Sequence, residues 1–272
     1  MTFAQRLAKA VSQHGPLCVG IDPHPGLLDA WGLPRDVPGL ERFALTCVEA
    51  FGGHVALVKP QAAFFESYGS KGVAVLERVL ADLRDAGTAV LVDAKRGDIG
   101  STMAAYAQAY LSDGSPLAGD AVTLSPYLGF GSLEPALEAA RASGRGVFVL
   151  ARTSNPEGAS VQCAGVPSGG SVAQSVVDEA ARRNAGAEPL GDVGLVVGAT
   201  LDRLDIDLSD LHGYVLAPGF GAQGATVADL RRLFGDDLRG VLPTSSRDVL
   251  RHGPDSASLR SAARRVGDDL GM

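Results

Sequence analysis

Eight short apolar runs recur along the chain, at residues 17–21, 55–58, 89–92, 121–124, 147–150, 194–197, 214–217 and, more weakly, 241–242. Each is followed by Gly, Pro or charged residues and then by a stretch with helical spacing. The runs are continuously apolar rather than alternating, the mark of strands buried on both faces of a parallel sheet. Helical patterns cover 40–51, 72–86, 101–111, 133–143 and 171–185, and Phe3, Leu7, Ala8 and Val11 form an amphipathic stripe near the start. Strand and helix alternating in this way over 272 residues predict an α/β fold of the (β/α)8 TIM-barrel kind, as a single domain over residues 1–272. A doubly wound open sheet is the structural rival. No GxGxxG follows the first run, which removes support from its dinucleotide-binding form.

One stretch breaks this economy. Residues 153–170 (TSNPEGASVQCAGVPSGG) have little periodicity and many small residues. A long loop inside a compact domain is usually functional, and this one follows the fifth run, so it reads as a mobile active-site loop. Residues 253–272 read as an outer helix.

Composition narrows the partners. The chain is 46% hydrophobic and 20% charged, with a formal net charge of −7, which argues against nucleic acid or an anionic membrane surface. An anionic ligand must then be met by a local pocket. Cys18, Cys47 and Cys163 show no CxxC spacing, which gives no disulfide framework or zinc site, and Cys18 reads as a core residue. The N-terminal stripe lacks the apolar core of a signal peptide and no run approaches membrane-spanning length, so the expected location is the cytoplasm.

In a TIM barrel, catalytic side chains project from the C-terminal strand ends. The first run ends in Asp22, the second in Lys59, and the third in Asp93 and Lys95, with Asp98 three residues on. Asp93 and Lys95 are i, i+2 neighbours and share a face if the strand continues. Each residue has a plain structural reading: Asp22 opens an Asp-Pro turn, Lys59 is a solvated charge, and Asp98 caps the helix near Ser101. All of these must hold at once for the cluster to be incidental. A second cluster follows the last two strands: the glycine-rich turn 218–224, with Gln223, and Thr244-Ser-Ser-Arg247. Barrels commonly bind phosphate there, through backbone N–H groups and an Arg fork.

The segment Asp93-Ala-Lys-Arg-Gly-Asp98, continued by Ile99-Gly-Ser-Thr102, resembles the DxKxxD signature of orotidine 5′-monophosphate decarboxylases. The blocks VGIDPHP, VKPQAAFFESYG, SPYLGFGSLEP, VLARTSNPEG and LAPGFGAQG look like the bacterial type 2 branch of that family, and together they span residues 17–250. The resemblance implies a ribulose-phosphate-binding type of barrel. The implied activity is conversion of orotidine 5′-monophosphate to UMP and CO2, the last step of de novo pyrimidine synthesis, with no metal and no cofactor. By the same resemblance Lys59 and Asp93 belong to a charged network, Lys95 donates the proton, and Asp22 binds ribose hydroxyls. Asp98 and Thr102 are implied to cross a homodimer interface into the neighbouring site. Thr153 and Ser154 lie near the pyrimidine edge, with the choice among Thr153, Ser154 and Asn155 left open, and Gln223 and Arg247 hold the phosphate.

Three rivals remain on the sequence alone. A sugar-phosphate decarboxylase or synthase of the same superfamily shares DxKxxD but uses a magnesium-stabilised enediolate. A Schiff-base aldolase needs a lysine of lowered pKa, which flanking aspartates oppose. A silent phosphate-ligand sensor needs no costly paired charges.

Overall fold

The computed structural model describes residues 1–167, 169–221 and 224–271. Eight parallel strands close on themselves in chain order: β1 (Cys18–Ile21), β2 (Leu57–Pro60), β3 (Ala89–Arg96), β4 (Ala121–Leu124), β5 (Gly146–Arg152), β6 (Gly191–Val197), β7 (Gly213–Pro218) and β8 (Val241–Ser245). β8 pairs back onto β1 through Cys18↔Thr244 and Val19↔Ser245, so the sheet has no edge. Every apolar run becomes a strand. The helical patterns become Val37–Phe51, Gly69–Asp85, Gly100–Leu111, Glu134–Ser143 and Val172–Asn184, and the C-terminal stretch contains Ser256–Asp269. A further helix, Val227–Phe234, did not stand out from the pattern; a capping box between Thr226 and Asp229 starts it. No helix among the described residues is long and apolar enough to cross a membrane.

Two apolar clusters build the molecule. The larger lies between strands and outer helices and includes Val19, Ile21, Val58, Val92 and Val149, whose side chains alternate with the inward ones. The smaller fills the barrel: Cys18, Leu57, Leu91, Ala121, Phe148, Val196, Leu216 and Leu242. Helix Phe3–His14, begun by a Thr2–Gln5 capping box, closes the floor by burying Phe3, Ala4 and Leu7 in this cluster. Phe3 meets Phe148 edge to face at 6.0 Å, and Asp192 accepts the Ala4 N–H at 2.7 Å. The floor of the barrel is therefore plugged by apolar side chains, and chemistry is left to the opposite mouth.

The period of two then places the polar residues. Two positions above the inward Leu57, Leu91, Ala121 and Leu242 stand Lys59, Asp93, Thr123 and Thr244, and all four are buried. Another step up are Gln61, Lys95 and Ser246, at the cavity wall.

Candidate active site

A cavity of about 380 Å3 opens at the C-terminal mouth, with Asp22, Lys59, Asp93, Lys95, Thr153 and Arg247 among its walls. Its centre is Asp93. One carboxylate oxygen, Oδ2, accepts from Lys59 Nζ and Gln61 Nε2, each at 3.0 Å. The other, Oδ1, accepts from Lys95 Nζ at 2.6 Å and from Thr123 Oγ1 at 2.9 Å. Four donors, two of them charged, fill the carboxylate. Charge-assisted bonds of this kind are the strong ones, and they are what permits a carboxylate and an ammonium to be buried together.

The electrostatics follow from that packing. Burial alone would raise the Asp93 carboxyl, but the two ammonium groups and their hydrogen bonds outweigh it and hold it well below the usual carboxylate range. Burial alone would lower Lys59, yet Asp93 and Asp22 reverse it, and its ammonium is held above the ordinary lysine value. The ammonium form of Lys59 is thereby favoured, the reverse of the lowered pKa that a Schiff-base lysine needs. The Cys18 thiol, below this layer, is pushed up to about 12 by burial and is inert at neutral pH.

Asp22 also faces the cavity. Its Oδ1 is buried and accepts no hydrogen bond among the described residues, and the same holds for Thr244 Oγ1. A buried acceptor without a donor is costly unless a ligand hydroxyl supplies one. Arg247 also lines the cavity, just past β8, the strand that pairs with β1 below Asp22, and its guanidinium enters no ion pair among the described residues. It follows β8, although Thr244 and Ser245 belong to the strand itself, and it opens a one-turn helix, Arg247–Leu250. Gly219, Phe220 and Ser246 stand in the same wall. Gln223 lies outside the described residues.

The loop after β5 is not structureless. It forms a 3-10 turn, Pro156–Gly158, and a short helix, Ala159–Gln162. Gln162 ties it down by accepting from Thr153 N at 2.9 Å and donating to Thr153 Oγ1 at 2.8 Å. Thr153 reaches the cavity, while Ser154 and Asn155 are exposed.

Asp98 and Thr102 are not gathered into this cavity. Asp98 accepts the Ile99 N–H at 2.8 Å, just outside β3, and does not cap the helix Gly100–Leu111, whose N-cap is Ile99. Thr102 is exposed on that helix. Ile99, next to Asp98 in the chain, is 62% exposed.

The family model for orotidine 5′-phosphate decarboxylase / HUMPS matches residues 15–262. The chain belongs to that family. Among curated members it is 63% identical, over 265 residues, to the orotidine 5′-phosphate decarboxylase of Salinispora tropica, covering 97% of this chain and 95% of that one. It is 59% identical to the one of Streptomyces coelicolor, covering 98% and 96%. A solved protein from Streptomyces avermitilis, described as an orotidine 5′-phosphate decarboxylase, superposes with a TM-score of 0.97 at 59% identity, covering 99% of this chain and 95% of that chain. The orotidine 5′-phosphate decarboxylase / HUMPS barrel thus carries the Lys59–Asp93–Lys95 cluster at its mouth in this chain. Two members of that cluster, Gln61 and Thr123, escaped the sequence reading. The signal was present: Gln61 is two residues beyond Lys59, and Thr123 is the polar residue inside the apolar run 121–124. What hid them was the restriction to charged residues.

Proposed function

We propose that this protein decarboxylates orotidine 5′-monophosphate to UMP and CO2, the last step of de novo pyrimidine synthesis. The observation that carries the reading is Asp93 held between Lys59 and Lys95 at the barrel mouth, at 3.0 and 2.6 Å. The names and high identity of the curated relatives favour it over the other chemistry in the family's description.

The reaction breaks the bond from C6 to the carboxylate. The electron pair stays on C6 in an sp2 orbital that is not conjugated with the ring carbonyls, so resonance cannot spread it. A localised carbanion is best stabilised by a preorganised cation. Lys95 supplies that charge and then transfers a proton from Nζ to C6, leaving a neutral amine that is reprotonated from solvent after UMP departs. The balance is one substrate and one proton in, UMP and CO2 out. Asp93 has two tasks. It aims the Lys95 ammonium, and beside the substrate carboxylate it adds like-charge stress that is relieved as CO2 leaves, a contribution we rank below carbanion stabilisation.

The remaining walls bind. Asp22 accepts from ribose hydroxyls, and Thr153, the member of 153–155 that lines the cavity, belongs to the pyrimidine side. Arg247, Gln223 and the turn around Gly219 hold the phosphate. Phosphate binding, remote from C6, is available to fix the loops and exclude water. The working form is a cytoplasmic homodimer of single-domain subunits, in which Asp98 and Thr102 enter the neighbouring site. The exposed Ile99, next to Asp98 in the chain, supports that arrangement. No metal or organic cofactor takes part.

The test is the fall in absorbance when purified protein meets orotidine 5′-monophosphate, with and without EDTA. Conversion to UMP that EDTA leaves unchanged is the expected result. Activity lost with EDTA would move the protein to the magnesium-dependent enediolate chemistry, and nucleotide binding without any conversion would make it a sensor.

A further inference from the structure

β3 does not stay in register with β4. Leu91 pairs with Ala121 and Val92 with Val122, but the next pair is Arg96 with Leu124. Between these pairs β3 advances four residues (92 to 96) and β4 two (122 to 124), so β3 carries two extra residues in a bulge. Bulges re-aim side chains and leave ladder groups unpaired. Asp93 and Lys95 both lie within this bulge, and Lys95 has φ +48°, a left-handed conformation that an unbranched L residue adopts only when its surroundings impose it.

A single hydroxyl supplies the restraint. Lys95 N–H, freed from the ladder, donates to Thr123 Oγ1 at 2.9 Å. Because that contact uses the hydroxyl as acceptor, its own proton is free for Asp93 Oδ1, 2.9 Å away. Asp93 Oδ1 in turn accepts from Lys95 Nζ at 2.6 Å. The three bonds close a ring that starts on the Lys95 backbone and ends on the Lys95 ammonium. Thr123 is 1% exposed, so the hydroxyl is held among protein partners.

We propose that Thr123 is a positioning residue for the decarboxylation: its hydroxyl pins the strained Lys95 backbone and orients Asp93, and so fixes where the Lys95 ammonium points. The assignment rests on the reading of Lys95 as the proton donor. Thr123 takes no part in bond breaking. Its contribution is preorganisation, which counts because catalytic geometry tolerates only a fraction of an ångström. The apolar partner on the other side of β4, Leu124, packs outward into the main core, so substitution at Thr123 disturbs the site before it disturbs the fold.

The test compares Thr123→Val, which keeps the shape and removes the hydroxyl, with Thr123→Ser, which keeps the hydroxyl; Thr123→Ala replaces Val if Val does not fold. Steady-state kinetics with orotidine 5′-monophosphate are read beside backbone-resolved amide hydrogen exchange at Lys95. Val is expected to lower kcat by about 10²-fold, the usual scale for a displaced catalytic group, with KM and UMP affinity changing less than about threefold and Lys95 exchange accelerated. Ser is expected to restore kcat to within about fivefold of the parent and to keep the amide protected. A Val protein with kcat near the parent's overturns the proposal, as does a Ser protein as impaired as Val, or a loss confined to KM. If the parent protein itself does not decarboxylate, the functional reading fails, and the exchange measurement still judges the ring separately. Protection lost in Val and kept in Ser supports the ring, and unchanged protection in Val refutes it.

Discussion

Asp93 and Lys59 are ions that the folded chain takes out of water, and only their mutual contact makes that tolerable. Removing one partner of a buried pair leaves the other uncompensated and typically costs about 3–5 kcal/mol. Asp93→Ala is expected at the low end, about 3 kcal/mol, because Asp22 also faces Lys59; denaturant unfolding measures it, and a variant as stable as the parent would mean Lys59 has reached solvent or another partner. The pH dependence has a definite sign. The folded Asp93 carboxyl lies below its unfolded value of about 4, so its contribution is complete above that pH and is lost as the pH falls toward the folded value. Lys59 is raised, so its contribution is complete below about 10.4 and is lost as the pH rises through its folded value. The parent protein should therefore lose more stability between pH 5 and pH 2 than Asp93→Asn does. Equal losses would show that other carboxylates govern acid unfolding.

At the scale of elements the barrel separates stability from chemistry by its two ends. On the floor, a Cβ added at Gly146 would sit 2.2 Å from Phe3 Cδ1, inside the plug made by helix Phe3–His14. Gly146→Ala is expected to destabilise by about 1–3 kcal/mol through overpacking while leaving kcat unchanged, read by thermal unfolding beside turnover; a fall in kcat without a fall in stability would contradict the separation. At the mouth, the turn from β8 into Arg247–Leu250 presents Arg247 to the cavity. Arg247→Ala should lower kcat/KM for the nucleotide by about 10²–10⁴-fold, the worth of two charged hydrogen bonds, and spare phosphate-free orotidine. Equal losses on both substrates would count against a phosphate role.

For the whole molecule, a net charge of −7 gives no long-range attraction for an anionic nucleotide, so recognition has to be local. The assembly is testable by mixing. If Asp98 acts in the neighbouring subunit's site, Lys95→Ala and Asp98→Ala chains are each inactive alone. Mixed and allowed to exchange, half the dimers are hybrids and one of two sites in each hybrid is intact, which restores about a quarter of parent activity for a symmetric dimer. If Asp98 acts within its own chain, mixing restores nothing.

The alternation of apolar runs with helical spacing determined the barrel, because continuous apolar strands need cover on both faces and only helices between them provide it. The charged residues at the run ends were legible for the same reason: Asp22, Lys59, Asp93 and Lys95 stand where apolar burial stops, and the period of two put Asp93 and Lys95 on one face. The chain by itself carried no sign of the two-residue bulge in β3 or of the left-handed Lys95, and it marked Thr123 and Gln61 only as polar residues near apolar runs, not as partners of the carboxylate. Those depend on the register between strands about 30 residues apart, where β4 and β2 meet β3. Nor did it decide that Thr153 faces the cavity while Ser154 does not, since that turns on Gln162 folding back onto Thr153. Local pattern reports which face is buried; which polar atoms meet there is decided by pairing across the barrel.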